Sequence, residues 1–242
     1  MTAHLISVIG SSPGVGKSTL CRAVADWLTG AGASVDHFEE ADVLTRPAFR
    51  PVAEEFAGGA AAVRPATLVA CTRAYVEESL GSGKDHLVTD ALLPFVPSLV
   101  AWGHDENTLI HVMAELTRAV EPAEVTVVYV HDDPDTALRR AVDREGAAWE
   151  DWYVARLAGS PGTRAVHDLA SAAAHLRYEA DLTRRLLART PWRLLTVDAG
   201  VLNAEEAFTH TRHHLTEALG LAGRAAPPCA RGTARSERDP AD

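Results

Sequence analysis

The chain is predicted to be an α/β protein: a three-layer sandwich with a five-stranded parallel sheet and helices on both faces. Three observations predict this. Five short apolar runs, at 4–9, 34–38, 86–90, 125–130 and 193–197, alternate with segments whose apolar residues recur at helical spacing. The run Val125-Thr126-Val127-Val128-Tyr129-Val130 is rich in β-branched residues and bounded by Pro122 and Pro134. A Gly-rich turn links the first run directly to the first helical pattern, so the two pack as consecutive elements. Strands that alternate with helices run parallel, and loops at their carboxyl ends carry ligands.

The elements follow in order. His4-Leu5-Ile6-Ser7-Val8-Ile9 suits a buried strand, and Leu20, Val24, Ala25, Trp27 and Leu28 put an apolar stripe on a helix from Thr19 to Thr29. After the loop Gly30-Ala31-Gly32-Ala33, Ser34 to Phe38 is a weaker strand. His86 to Asp90 follows the turn Gly81-Ser82-Gly83-Lys84, and Arg193 to Val197 closes the series. Helices are expected near 66–80, 106–120, 134–144, 149–158, 165–190 and 203–219. From Ala222 onward no apolar period is visible, so 222–242 reads as a disordered tail and 1–221 as the folded domain.

Composition excludes several classes. The chain has 242 residues, enough for one α/β domain with a sizeable core but too few for two full enzymes. A net charge of −10 argues against nucleic-acid binding by bulk charge attraction. Cys21, Cys71 and Cys229 have no metal-ligand spacing and read as reduced thiols of a cytoplasmic protein. The N-terminal residues lack a basic stretch before a long apolar run, and no run of about 18 apolar residues occurs, so neither export nor a membrane span is expected.

Lys17 is one of only two lysines, whereas Arg supplies the other 21 of 23 basic side chains. It stands in Ser11-Ser12-Pro13-Gly14-Val15-Gly16-Lys17-Ser18-Thr19, between the first strand and the first helix. Backbone N–H groups from Ser12 to Ser18 can wrap an anion at the positive end of the helix. The compact Lys17 ammonium can reach between β- and γ-phosphates where a planar guanidinium would not fit. Ser18 offers its hydroxyl to Mg²⁺ and Thr19 its hydroxyl to the α-phosphate. Together with Pro13, Gly14, Val15 and Gly16, these residues resemble the phosphate-binding P-loop. The strict pattern places a glycine where this chain has Ser11, with Gly10 displaced by one.

The layout across about residues 4–219 resembles P-loop NTPases of the small-molecule kinase type: deoxynucleoside kinases, thymidylate kinase, and chloramphenicol and tunicamycin-resistance phosphotransferases. The P-loop alone is specific residue by residue. The resemblance implies ATP and Mg²⁺ as cofactors and a small-molecule hydroxyl as acceptor, most readily a nucleoside or a nucleoside or aminoglycoside antibiotic, with a possible self-resistance role. The net charge and the lack of a long apolar run argue for no nucleic-acid or membrane partner, and a monomer or homodimer is expected. An acid after the second strand would accept the acceptor's proton, and Glu40, Asp42 and Glu39 all stand there. Asp90 closes the third strand and would hold the metal, through water, or the acceptor. Ala91 follows it where an Arg often clamps a substrate phosphate, which favours an uncharged acceptor over a nucleoside monophosphate.

After the fourth strand, Asp133-Pro134 would start a helix capped by Asp132 or Asp133. This stretch resembles the family's helical lid, about 134–164, whose arginines close over the phosphates. Arg140 and Arg144 are four apart and share a face, so they are the expected pair. Trp149, Trp152 and Tyr153, with Glu150, Asp151 and Arg156 nearby, are placed either to stack on a substrate or to pack the lid. Phe49, Arg46 and Arg50 occupy the segment where this family often binds its acceptor. His210, His213 and His214 are expected on an exposed helix face rather than around a metal.

A nucleotide-gated switch or partner-loading ATPase is the competing class. Partition ATPases carry an additional lysine early in the loop, where this chain has Ser12. A guanine-reading Asn-Lys-x-Asp cannot occur with lysines only at 17 and 84.

Overall fold

The computed structural model describes residues 3–59 and 62–221. The expected tail and Cys229 lie outside the described residues. Among those described, five strands form one all-parallel sheet in the order β2-β3-β1-β4-β5. The strands are β1 (His4–Gly10), β2 (Val35–Phe38), β3 (His86–Thr89), β4 (Glu124–His131) and β5 (Arg193–Asp198). The helices are α1 (Lys17–Gly30), α2 (Asp42–Thr45), α3 (Arg50–Phe56), α4 (Pro65–Gly81), α5 (Val96–Ala101), α6 (Glu106–Ala119), α7 (Pro134–Glu145), α8 (Ala147–Ala158), α9 (Leu169–Leu187) and α10 (Ala204–Ala218).

Side-chain alternation along the strands builds two cores. Leu5 and Ile9 of β1, Leu87 of β3, and Val127 and Tyr129 of β4 join a cluster with α4, α5, α6 and the end of α9. Ile6, Val8, Val88, Val128 and Val130 face the other way, against Leu20, Val24 and Leu28 of α1 and Ala207 and Leu215 of α10. Helices therefore cover both faces, which is why these strands read as nearly continuous apolar runs. A third cluster unites Leu138 of α7, Tyr153 of α8, and Ala172, Ala173 and Leu176 of α9. No helix among the described residues is long and apolar enough to cross a membrane.

Ser7 is a polar residue in the middle of β1, fully buried, and its hydroxyl donates to Leu93 O at 2.9 Å. That bond ties the segment after β3 to the central strand. The strand order does the rest. β1 leads into α1 on one face of the sheet, whereas β3 leads into α5 on the other. Adjacent strands that exit to opposite faces leave a crevice beyond their carboxyl ends, the switch point where ligands bind such sheets.

The strands predicted from sequence match the observed ones. Three short helices were not anticipated: α2, α3 and α5, of 4, 7 and 6 residues. The last two carry proline in the first turn, where its missing N–H costs nothing.

Candidate functional site

The site is built on the turn between β1 and α1. Ser11 N–H donates to Val130 O at 2.9 Å, extending the β1–β4 ladder one residue past Gly10. The chain then folds back tightly: a Cβ on Gly10 would stand 2.7 Å from Val15 Cγ2. Gly10 is thus the close-approach glycine of the turn, and Ser11 is free to be something else. Ser11 accepts from Asp132 N at 3.4 Å, linking the turn to the exit of β4. Gly14 has φ of 83°, and a Cβ there would meet Ala137 O of α7 at 3.2 Å and Ala141 Cβ at 3.5 Å. A side chain would be strained there and would push α7 off the turn.

α1 starts with Gly16 as an N-cap in left-handed conformation, without a capping side chain and without an acid in its first turn. The first backbone N–H along the helix to find a carbonyl is that of Leu20, on Gly16 O at 3.0 Å. Its leading N–H groups and the positive end of its dipole therefore face the crevice unsatisfied. Ser12, in the same turn, has a buried hydroxyl with no hydrogen-bond partner.

Asp90 is carried into the crevice by a local turn. Thr89 Oγ1 accepts from Ala91 N and Leu92 N, both at 3.1 Å, bending the chain so that the Asp90 side chain lies beside α1. Its side chain is only 4% exposed. Oδ2 accepts from Ser18 Oγ and from Lys17 Nζ at 3.3 Å, and the Asp90 carbonyl accepts from the same ammonium at 3.2 Å. Oδ1 is buried with no partner. A buried carboxylate oxygen left unsatisfied is costly, and such an atom marks a place for a ligand, a water or a cation.

The three acids after β2 separate sharply. Glu39 accepts from Arg22 of α1 at 2.7 Å. Asp42 Oδ2 accepts from the Glu39 N–H at 3.0 Å and pairs with Arg46 at 3.4 Å. Glu40 has neither kind of arginine partner; its carboxylate stands 3.7 Å from Lys17 Nζ and is 77% exposed. The structure thus brings together Lys17, Ser18, Asp90 and Glu40, and does not bring Asp42 to them. Thr19 lies exposed one residue further along α1.

The arginines of α7 do not converge on Lys17. Asp133 caps this helix through Thr136 N at 3.0 Å, with Pro134 next, as expected. Arg140 bonds the Asp132 carboxylate and donates to Ala199 O at 3.4 Å, while Arg144 donates to its neighbour Glu145 at 2.8 Å. Arg144 shares a face with Ala137 and Ala141, which press on Gly14, so it lies one turn beyond the contact.

The aromatic set packs rather than opens. Trp149 and Tyr153 stack at 4.9 Å with a 6° interplanar angle inside the third cluster, and Trp152 is exposed beneath the Arg156 guanidinium at 5.5 Å. Burial pushes the Tyr153 phenol well above its usual range, with the Glu179 carboxylate adding to the effect. Phe49 is fully buried against Phe38, and Arg50 pairs with Glu54 at 3.3 Å on the surface. His210 and His214 meet edge to face on α10, and no group of three or more His, Cys, Asp or Glu among the described residues could hold a metal. Cys21 lies near the site, where burial, then the Asp90 charge, pushes its thiol well above the usual range.

A cavity of about 450 Å³, lined by His4, Arg118, Glu124, Trp192 and Arg193, lies at the amino ends of the strands. β1 separates it from the Gly-rich turn by roughly 20 Å, at about 3.3 Å per residue. The chemistry instead gathers at the carboxyl ends, where an open crevice joins a helix N-terminus, an ammonium, two carboxylates and a hydroxyl. In comparisons with known proteins, no family model matches the chain and no curated protein matches it.

Proposed function

We propose that the protein is an ATP- and Mg²⁺-dependent phosphotransferase of the P-loop NTPase type, moving the γ-phosphoryl group to a hydroxyl of a small molecule. The observation that carries this reading is the convergence of Lys17, Ser18, Asp90 and Glu40 beside the uncapped N-terminus of α1. Anion binding needs only the turn and the helix end. A carboxylate buried with a free oxygen next to a serine hydroxyl adds a cation site, and an exposed acid across from the ammonium adds a proton acceptor.

The residues fit a divalent cation. Ser18 Oγ and Asp90 are hard oxygen donors already in contact, and Asp90 Oδ1 lacks a partner. Ser18 would hold Mg²⁺ directly and Asp90 would hold it through water, and a cation there supplies charge neutralisation to the phosphates. The N–H groups from Gly14 to Thr19 orient the phosphate chain. Lys17 leaves Asp90 for the β- and γ-phosphates and stabilises charge as it develops. Glu40 takes the acceptor's hydroxyl proton while the new O–P bond forms; the bond to the bridging oxygen breaks and its electron pair leaves with ADP. Arg140 and Arg144 contribute only if the α7–α8 lid moves, since Arg140 must first leave Asp132.

The acceptor class remains a nucleoside or a nucleoside or aminoglycoside antibiotic, on the resemblance of layout. The test is incubation of the purified protein with ATP, Mg²⁺ and a panel of such compounds, read by mass spectrometry. The expected result is one acceptor gaining a single phosphoryl group. Phosphorylation of no hydroxyl compound, with ATP hydrolysis only when a protein partner is added, would sink the reading and favour the switch class.

A further inference from the structure

The turn that carries Glu40 is held by a side chain which takes no part in the chemistry above. Arg46 Cζ lies over the Phe38 and Tyr75 rings, 5.5 and 5.8 Å from their centroids. Its guanidinium donates to Asp36 Oδ1 at 2.9 Å and Oδ2 at 3.3 Å, to His37 O at 2.8 Å and to Asp42 Oδ2 at 3.4 Å. Asp36 is anchored in turn by Ser79 of α4, whose hydroxyl donates to Oδ2 at 3.1 Å. Asp42 passes the hold to the turn by accepting the Glu39 N–H at 3.0 Å. Two acids are thereby committed, Glu39 to Arg22 and Asp42 to Arg46, and the turn presents the third towards Lys17.

We propose that Arg46 is a positioning residue which, through Asp42, sets Glu40 opposite Lys17 for the transfer step; this rests on the phosphotransferase reading. A planar fork is required. Four oxygens from Asp36, His37 and Asp42 lie around one guanidinium, and an ammonium on a flexible stem cannot reach them in a fixed plane. Arg46 bonds Asp36, His37 and Asp42 and makes no hydrogen bond or ion pair to Lys17, Ser18, Asp90 or Glu40, so its effect appears through the placement of Glu40.

A double-mutant cycle with Glu40→Gln separates this from a general structural role. Arg46→Met is expected to lower kcat about 10²-fold, the order expected when a catalytic group is displaced by about 1 Å. In the Glu40→Gln background the same change is expected to lower kcat by less than about 2-fold, since Glu40 no longer acts. KM for ATP stays within about 2-fold of the parent, because the Gly-rich turn is untouched. Arg46→Lys and Asp42→Asn, which keep more of the packing, fall between parent and Arg46→Met. Amide hydrogen exchange supplies a readout independent of catalysis: Glu39 to Leu44 exchange faster in Arg46→Met, while α1 does not change. Equal kcat losses in both backgrounds, a loss confined to KM for ATP, or unchanged Glu39 exchange overturns the proposal. A wild-type protein that phosphorylates no acceptor overturns the phosphotransferase reading itself, and with it any role of Arg46 in transfer.

Discussion

The turn after β1 and the helix after β4 meet at Gly14, yet they are held in opposite ways. The turn is determined by main chain and buried groups. Gly10 has no room for a Cβ, Ser11 extends the sheet ladder, and Lys17 and Ser18 share an acid that is almost wholly buried. α7 is seated by Ala137 and Ala141 against Gly14, by Leu138 buried in the third cluster, and by arginine–acid pairs: Arg144 on Glu145 and Arg177 of α9 on Asp135 at the surface, and Arg140 on the nearly buried Asp132 carboxylate. The two surface pairs, Arg144–Glu145 and Arg177–Asp135, contribute about 0–1 kcal/mol each. A cradle fixed by main chain and buried charge therefore faces a helix fixed by apolar packing, a local cap and ion pairs.

The largest effects belong to the cradle. Lys17→Ala is expected to lower phosphoryl transfer by about 10³-fold or more while circular dichroism stays unchanged, as for loss of a preorganised electrostatic group. Lys17→Arg should recover little, because a planar guanidinium does not replace a compact ammonium on a flexible stem. Retention of transfer by Lys17→Ala would remove the basis of the contrast. Asp90→Asn is the companion test. It should weaken the Mg²⁺ dependence, read as a rise in the Mg²⁺ concentration needed for half-maximal rate, whereas Glu40→Gln should lower kcat with that concentration unchanged. If both substitutions behave alike, the two acids do not divide the work.

Next in size is the backbone itself. Gly10→Ala places a methyl against Val15 and should cost about 1–3 kcal/mol, the usual penalty of overpacking, visible as a fall in Tm of several degrees. Unlike Lys17→Ala it should impair folding and nucleotide binding together. On the other side of the contact, Arg140→Ala should lower kcat about 10-fold and, because it leaves the nearly buried Asp132 carboxylate without its partner, should also lower Tm. Asp132→Asn, which frees Arg140, sharpens this further: if Arg140 acts after leaving Asp132, the variant should show no loss in kcat.

How much of this was legible in the sequence follows the same division. The strand, the Gly-rich turn and the helix start announce themselves because each residue in the turn is constrained by backbone geometry and charge at fixed spacing. Asp90 was legible as an acid ending an apolar run. The choice among Glu39, Glu40 and Asp42 was not, since it depends on Arg22, 17 residues before Glu39, and on Arg46, whose fork spans β2 and α2. α2, α3 and α5 escaped because 4, 7 and 6 residues are too few to show a helical period. Gly10 looked like a displaced motif position until its distance to Val15 showed why the glycine stands there. Helical spacing put Arg140 and Arg144 four apart on α7 but says nothing about which acids they meet.

The smallest expected effect tests whether the α7 side is held by local caps rather than by burial. The Asp133 carboxyl is held below the ordinary carboxylate range, first by the Thr136 N–H, and that of Asp168 likewise, first by the Ser171 hydroxyl. A lowered folded value means that stability from each cap is fully present above the ordinary carboxylate value and is lost as the pH falls through the folded value. Acidification from neutral to below the carboxylate range should therefore loosen the starts of α7 and α9, read as faster amide exchange at Thr136 and Ser171. Leu20 and Cys21 of α1, whose N-terminus carries no titrating cap, should change later. Asp133→Asn should make the α7 start insensitive to this change, since an amide oxygen caps without titrating. A simultaneous loss of protection in α1 and α7 would mean that the cradle and the lid unfold as one unit, and that α7 is not free to close over the turn on its own.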